Sequence, residues 1–243
     1  MRRFHLIELE DLPWWPTAFR NAATEYLVAA VRLSKPYQGV VPLLKAALER
    51  SGATSVLDLC SGAGGPWESL QGELRVPVLL SDRFPNPRAT SLPYHPEPVD
   101  ATAVPAALPG FRTLFASFHH FRPEQARAIL VDAVKQGEGI AIFEATARTI
   151  PALLGMLLVP LLVWLITPQI RPVRASRLLF TYVIPILPVA LVFDGMVSCL
   201  RTYSTAELEG FIVGLDNYDW KIGRAPVKGS PLPITYLMGT PRR

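Results

Sequence analysis

The stretch Ser55-Val56-Leu57-Asp58-Leu59-Cys60-Ser61-Gly62-Ala63-Gly64-Gly65 decides the fold. Its opening residues are β-branched or apolar around a single acid, a short run that reads as a buried strand. The glycines behind it permit positive φ and let a ligand approach the backbone closely. A short helix is expected over 66–74 and a second strand over 76–80. Strand, tight turn, helix and strand in that order make one unit of a parallel sheet.

The same rhythm continues on both sides. The stretch 84–110 is proline-rich and reads as loops around a short strand near 97–99. Strands at 113–118 and 139–144 flank a helix over 123–136, with Pro123 in its first turn and Gly137 behind its end. Upstream, Phe19, Ala22, Ala23, Tyr26, Ala30 and Leu33 fall at helical spacing within 17–35, with Thr17 placed to cap that helix. A second helix over 39–50 ends at Gly52. Ser204-Thr205-Ala206-Glu207 is a capping box that opens a last helix, and strands at 219–224 and 234–239 close the chain. The pattern is a doubly wound α/β fold.

The chain has 243 residues, of which 50% are hydrophobic and 18% charged; ordinary domains carry about 25% charged residues. The apolar surplus is local: 30 of the 44 residues in 150–193 are hydrophobic. That content excludes intrinsic disorder, and the absence of a second such block excludes a polytopic membrane protein. Net charge is +4, and 19 of the 24 basic residues are arginine. They are scattered singly rather than striped, so no nucleic-acid partner is expected. No Asp or Glu lies between Glu144 and Asp194, while Arg148, Arg171, Arg174 and Arg177 do, a composition suited to anionic headgroups. Two distant cysteines, Cys60 and Cys199, point to a reducing compartment. The opening MRRFHLIELEDL turns acidic too early for a signal peptide. A cytoplasmic protein touching the inner face of the membrane is expected.

Asp82 ends the second strand about 20 residues after the glycine turn, where a carboxylate can accept both hydroxyls of a ribose. At these residues the chain resembles the class I S-adenosylmethionine (SAM)-dependent methyltransferases. Asp58 to Gly64 resembles their first motif, Asp/Glu-x-Gly-x-Gly-x-Gly, with Cys60 in place of the first glycine. Val99-Asp100-Ala101-Thr102 resembles the third motif, and Phe115 to Phe121 the segment lining the methyl-transfer mouth. Leu200 to Leu208 resembles the turn before the terminal hairpin. The Trp14-Trp15-Pro16 opening is similar to that of a bacterial group of methyltransferase-like proteins.

The resemblance implies a seven-stranded, mostly parallel sheet with SAM as cofactor. Four regions are expected: an N-terminal helical lid (1–52), a SAM-binding core (53–146), an apolar helical insert (147–203), and a last helix with terminal hairpin (204–243). The cofactor would be held by Asp58, Cys60, Ser61, Gly62, Gly64, Asp82, Arg83, Asp100, Ala101 and Ser117. The lid would add Tyr26 and Tyr37 near the methionine end.

An O-methyl acceptor needs a general base, and histidine titrates near neutral pH. His119 and His120, just past the strand at 113–118, are the candidates. They have no third ligand at useful spacing, so no metal is expected. Trp14, Arg201 and Tyr203 are candidates to contact the substrate; for Arg201 and Tyr203 the alternative is packing at a helix end. Cys60 reads as a packing residue rather than a nucleophile.

The insert is the one region the resemblance does not cover. Its densest run, 150–167, would span about 27 Å as a helix, and 178–193 about 24 Å, both short of a bilayer core of about 30 Å. Pro160, Pro185 and Pro188 interrupt them. A shallow helical hairpin is expected, lying in one leaflet or against the same hairpin of a second subunit. The function expected is methyl transfer to a hydrophobic or amphipathic small molecule. The alternatives are an inactive methyltransferase-like scaffold and an NAD-dependent oxidoreductase. Against the oxidoreductase stand the missing third glycine and an acid, Asp58, that would repel a pyrophosphate.

Overall fold

A computed structural model describes residues 1–87 and 90–242. The chain forms two compact units, Met1–Lys35 with Thr146–Thr202, and Pro36–Ala145 with Tyr203–Arg243. The division departs from the expected regions in one respect. Residues 1–35 group with the insert, whereas 36–52 belong with the sheet.

The sheet unit contains β1 (Val56–Asp58), β2 (Val78–Leu80), β3 (Phe111–Phe115), β4 (Ile140–Glu144), β5 (Tyr218–Ala225) and β6 (Ile234–Pro241), in the order β2-β1-β3-β4-β6-β5. The first four run parallel, and β6 pairs antiparallel with both β4 and β5. β1, β3 and β4 are buried along their whole length, which is why their apolar residues do not alternate with exposed polar ones; Asp58, Arg112, Thr113 and Glu144 are the polar residues buried within them. Six strands are present among the described residues, not the expected seven. No strand forms at 97–99. The chain meets the sheet edge at Tyr94 instead, through a single parallel bridge to Leu80. Pro93, Pro96 and Pro98 bracket that point and have no N–H to continue a ladder. Arg88 and Ala89, in the same proline-rich stretch, lie outside the described residues.

The strand expected at 113–118 ends earlier, at Phe115, because Ala116 turns to a left-handed φ of 46°. The helices α2 (Val41–Ser51), α3 (Trp67–Leu74) and α4 (Pro123–Gln136) cover the sheet, and Gly52 and Gly137 close α2 and α4 with left-handed caps. The later helix Thr205–Phe211 starts at Ser204, whose Oγ accepts from the Glu207 N–H as the capping box requires. Leu57, Leu114, Ile129, Leu130, Ile142 and Leu237 form the centre of the core. Across that core lies a buried guanidinium: Arg112 of β3 donates to Asp132 of α4 at 2.6 Å.

The helical unit is built on α1 (Thr17–Ser34). Pro16, not Thr17, occupies its N-cap position, and Thr17 is the first helical residue. From the insert come α5 (Ile150–Met156), α6 (Val159–Ile166), α7 (Ala175–Leu178) and α8 (Ile186–Arg201). Ala22, Ala23, Tyr26, Val163, Leu187 and Leu191 pack at its centre. Glu25 of α1 receives both Arg174, at 3.1 Å, and the buried Arg177. Pro160 is the second residue of α6 and Pro185 stands at the N-cap of α8, while Pro188 lies in the first turn of α8 and does not interrupt it as expected. The two apolar pairs are bent by 41° and 75°, and among the described residues no single helix is long and apolar enough to cross a membrane.

Among the described residues, Arg112 Nε and Nη2 find no acceptor, so the buried cation depends on Asp132. Asp132→Ala is expected to lower unfolding free energy by about 3–5 kcal/mol, measured by denaturant titration.

Candidate active site

Strand order places a switch point between β1 and β3, where successive crossovers leave in opposite directions and ligands of open α/β sheets bind beyond the carboxyl ends. Asp58 ends β1 at that point, in register with Thr113 of β3 and Leu80 of β2. Its side chain is buried. Thr113 Oγ1 donates to Oδ1 at 2.5 Å, and Ser61 Oγ donates to Oδ2 at 2.6 Å. Burial nonetheless pushes the Asp58 carboxyl up from 3.8 to about 6, against those hydrogen bonds and with a small push from Asp82. A buried acid held by two hydroxyls and short of full compensation suits a cationic group.

The turn follows directly. Cys60, Gly62, Gly64 and Gly65 all have positive φ, at 56°, 52°, 97° and 51°. Cys60 therefore occupies a backbone position that suits glycine, at a cost of roughly 1–2 kcal/mol, and the turn keeps its course without the glycine of the motif. A Cβ placed on Gly62 or Gly65 would meet nothing within 4 Å, so this part of the turn borders open space. Burial raises the Cys60 thiol well above its ordinary range, which suits a packing residue and not a nucleophile.

Asp82 closes the turn from the neighbouring strand, accepting from Gly62 N at 3.0 Å and from Phe84 N at 2.9 Å. Val99 N donates to Asp82 O at 2.9 Å and brings Asp100 and Ala101 to the same edge. Asp100 is exposed and accepts twice from Thr102, which holds its carboxyl below the ordinary value, with Arg83 a minor contributor. Three carboxylates, Asp58, Asp82 and Asp100, thus line one edge of the sheet.

On the other side of the switch point, Ser117 is buried behind Ala116, and Phe118–His120 forms a short helical turn. His119 is buried, its Nδ1 lies 2.8 Å from Glu144 Oε2, and its backbone N–H donates to Glu144 Oε1 at 3.2 Å. One carboxylate therefore grips both the backbone and the ring, fixing the imidazole orientation. His120 is exposed, its ring centre 4.4 Å from that of His119. Tyr37 is buried edge-on against Phe115 at 5.0 Å. Burial, with Glu144 and Asp58 adding negative charge, pushes its phenol above the ordinary range, so it acts only as a neutral hydroxyl.

Sequence reasoning missed Glu144, Thr113 and Ser61's bond to Asp58. Glu144 carried a signal, because it ends its strand as Asp58 does. Trp14 is 70% exposed in the helical unit, and Tyr26 is buried in that unit's own core. Arg201, in the same unit, is buried and bonds Leu6 O at 2.6 Å, Asp11 at 2.7 Å and Glu8 at 3.2 Å. Tyr203 donates to Phe121 O at 2.7 Å and packs against Phe118 and Phe211 in the sheet core.

No protein-family model matches the chain, and no curated protein matches it in sequence. Solved structures do resemble it in fold. A plantazolicin methyltransferase, BpumL, in complex with a triazolic desmethylPZN analog and SAH aligns with a TM-score of 0.54 at 11% identity, over 93% of this chain and 99% of that one. Human N-acetylserotonin methyltransferase with SAM aligns at 0.50 and 12% identity, over 100% of this chain and 63% of that one. An O-methyltransferase from neocarzinostatin biosynthesis, in complex with SAM and a naphthoic acid, aligns at 0.50 and 14% identity, over 93% and 59%. The chain has the class I methyltransferase fold.

The weakened acidity of Asp58 sets a pH dependence. Below pH 4 the group is neutral in folded and unfolded chains alike. Between about 4 and 6 the folded chain keeps a proton that the unfolded chain releases, so stability falls as pH rises through that window, by about 3 kcal/mol. Unfolding free energies at pH 4 and pH 7 are expected to show this loss in the natural chain and a smaller one in Asp58→Asn.

Proposed function

We propose that the chain is an S-adenosylmethionine-dependent methyltransferase whose acceptor is a hydrophobic or amphipathic small molecule, met at a membrane surface. The observation that carries the reading is the buried Asp58 carboxylate, held by Ser61 and Thr113 at the head of a glycine turn bordering open space. The residues fit the cofactor chemically. Asp58 suits an ammonium group, and Asp82 suits the hydroxyls of a ribose. Asp100 and the backbone of Ala101 suit an adenine edge. An edge lined by three carboxylates repels a pyrophosphate and accepts a cationic nucleoside, which favours SAM over a dinucleotide.

Bound SAM supplies an electrophilic methyl carbon on a sulfonium. The chain's own task is to align the acceptor, exclude water and take a proton. His119 is the base proposed for a hydroxyl acceptor, and Glu144 orients it and stabilises its imidazolium form. His120 is exposed, with its ring beside that of His119. O-methyl transfer agrees with the neocarzinostatin-pathway neighbour, an O-methyltransferase whose bound partner is a small aromatic acid.

The membrane part of the reading rests on the insert. Ile150, Leu154, Leu157 and Leu158 are 58–66% exposed, a density of exposed apolar side chains that marks a docking face. Arg171 and Arg174 are exposed nearby in sequence with no acid in the segment, which suits anionic lipid.

Calorimetry with S-adenosylhomocysteine tests the cofactor. Saturable binding is expected, weakened at least tenfold in Asp82→Ala, with NADH giving no heat; binding of NADH alone would overturn the assignment. For the base, radiolabelled SAM is incubated with a lipid extract as acceptor pool. His119→Ala is expected to lower label transfer by about 10²–10⁴-fold and leave S-adenosylhomocysteine affinity unchanged. Equal transfer by the variant would remove His119 from the mechanism.

A further inference from the structure

Within the helical unit, the second bend of the insert opens an apolar groove. The chain leaves a π-helical turn at Leu179–Val183 and starts α8 at Ile186. Between them, Pro185 bends the path by 75° and contributes no N–H. The resulting hollow has a volume of about 310 Å³, with Ile184–Ile186, Val189 and Ala190 on one side and Leu9 and Trp15 on the other. Every lining side chain is apolar.

The far wall is fixed by polar bonds that stay outside the hollow. Asp194 of α8 accepts from Leu9 N at 2.6 Å and from Glu10 N at 3.3 Å. Ser198, one turn on, donates to Glu8 at 2.9 Å, and Arg201 holds Glu8 and Asp11. Trp15 is steadied by Phe19 at 5.3 Å, itself edge-on to Phe180 at 4.7 Å. Leu9 and Trp15 are therefore presented by a braced segment and not by a loose tail.

We propose that this groove holds one hydrocarbon chain, taken from a lipid of the bilayer against which the insert docks. The source of the chain rests on the membrane reading above; the site itself rests on the groove. A peptide segment would bring N–H and C=O groups that the lining side chains cannot satisfy, at several kcal/mol each. A methylene chain brings none. At about 30 Å³ per water-sized group, the hollow takes a chain of roughly ten carbons, and it sits at the low end of the 300–1,000 Å³ range of small-molecule sites. Its rim is continuous with the exposed apolar surface, since Ile184 and Val189 line the groove and are 48% and 65% exposed. A lipid tail can enter there without crossing water.

The test uses the full chain and dodecanoate brominated near its methyl end, which quenches indole fluorescence on contact. Saturable quenching is expected in the natural chain and is lost in Trp15→Phe. Val189→Asp, at an exposed rim position, and Ala190→Phe, which fills the hollow, are each expected to weaken dodecanoate affinity at least tenfold without changing S-adenosylhomocysteine binding. No saturable quenching in the natural chain, or equal affinity in Val189→Asp, would overturn the site. In parallel, co-sedimentation with phosphatidylglycerol vesicles reads the docking itself. Dodecanoate quenching without vesicle binding would leave the groove and remove the bilayer as the source of its ligand. Vesicle binding without quenching would do the reverse.

Discussion

Three strands converge on one carboxylate. Asp58 closes β1, receives a hydroxyl from Thr113 of β3, and receives another from Ser61 of the glycine turn. Its backbone carbonyl accepts from Ser81, just past β2, through both N–H and Oγ. The buried acid thereby fixes where three strands stop and where the turn begins. Burying a charge is costly unless it is paired and hydrogen-bonded, and here the compensation is incomplete, which is why its acidity is weakened. A fold that needed only stability would have placed an apolar side chain at that register. The retained acid marks the carboxyl edge as a binding edge.

The opposite side of the switch point repeats the device with a different outcome. Glu144 ends β4 as Asp58 ends β1, but its oxygens go to a neighbouring histidine, one to the backbone N–H and one to the ring. Asp58 is held by two hydroxyls, whereas Glu144 is held by a histidine. Two buried acids at equivalent strand ends thus suit the two parts of the proposed reaction, cofactor binding on one side and proton handling on the other. The phenol of Tyr37, pushed up by burial and further by both carboxylates, lies in the field of each.

What the sequence disclosed follows from the range of the interactions. The strand, turn and helix around Asp58 were legible because glycine spacing and apolar runs act over a few residues. The capping box at Ser204 and the caps at Gly52 and Gly137 were legible for the same reason. The grip of Glu144 on His119 joins residues 25 apart, and no local pattern announces it. Helical spacing in α1 identified the buried face at Ala22, Ala23 and Tyr26 but not what covers it, and that turned out to be the insert. The strand expected near 97–99 does not form, because Pro96 and Pro98 remove N–H groups that a ladder there would need. Tyr94 meets the edge one proline earlier.

The arginine bias of the composition has a structural reading as well. Arg127 donates to the carbonyls of Phe211 and Val213, and Arg20 to those of Glu10 and Leu12. Arg177 reaches Ile170 and Pro172, and Arg201 reaches Leu6. In each case the guanidinium closes a stretch of irregular backbone whose C=O groups have no ladder partner. A guanidinium carries five N–H donors in a planar fork, so it can satisfy two carbonyls and an acid together; a lysine ammonium is a strongly hydrated point charge that resists such burial. This chain has 24 prolines, each of which removes a donor and breaks a regular element, and so it has many such carbonyls. Arginine and proline enrichment are then two sides of one constraint. Bends such as the one at Ile170 and Pro172 in the insert leave acceptors behind, and arginine is the side chain that reaches them without unfolding the bend.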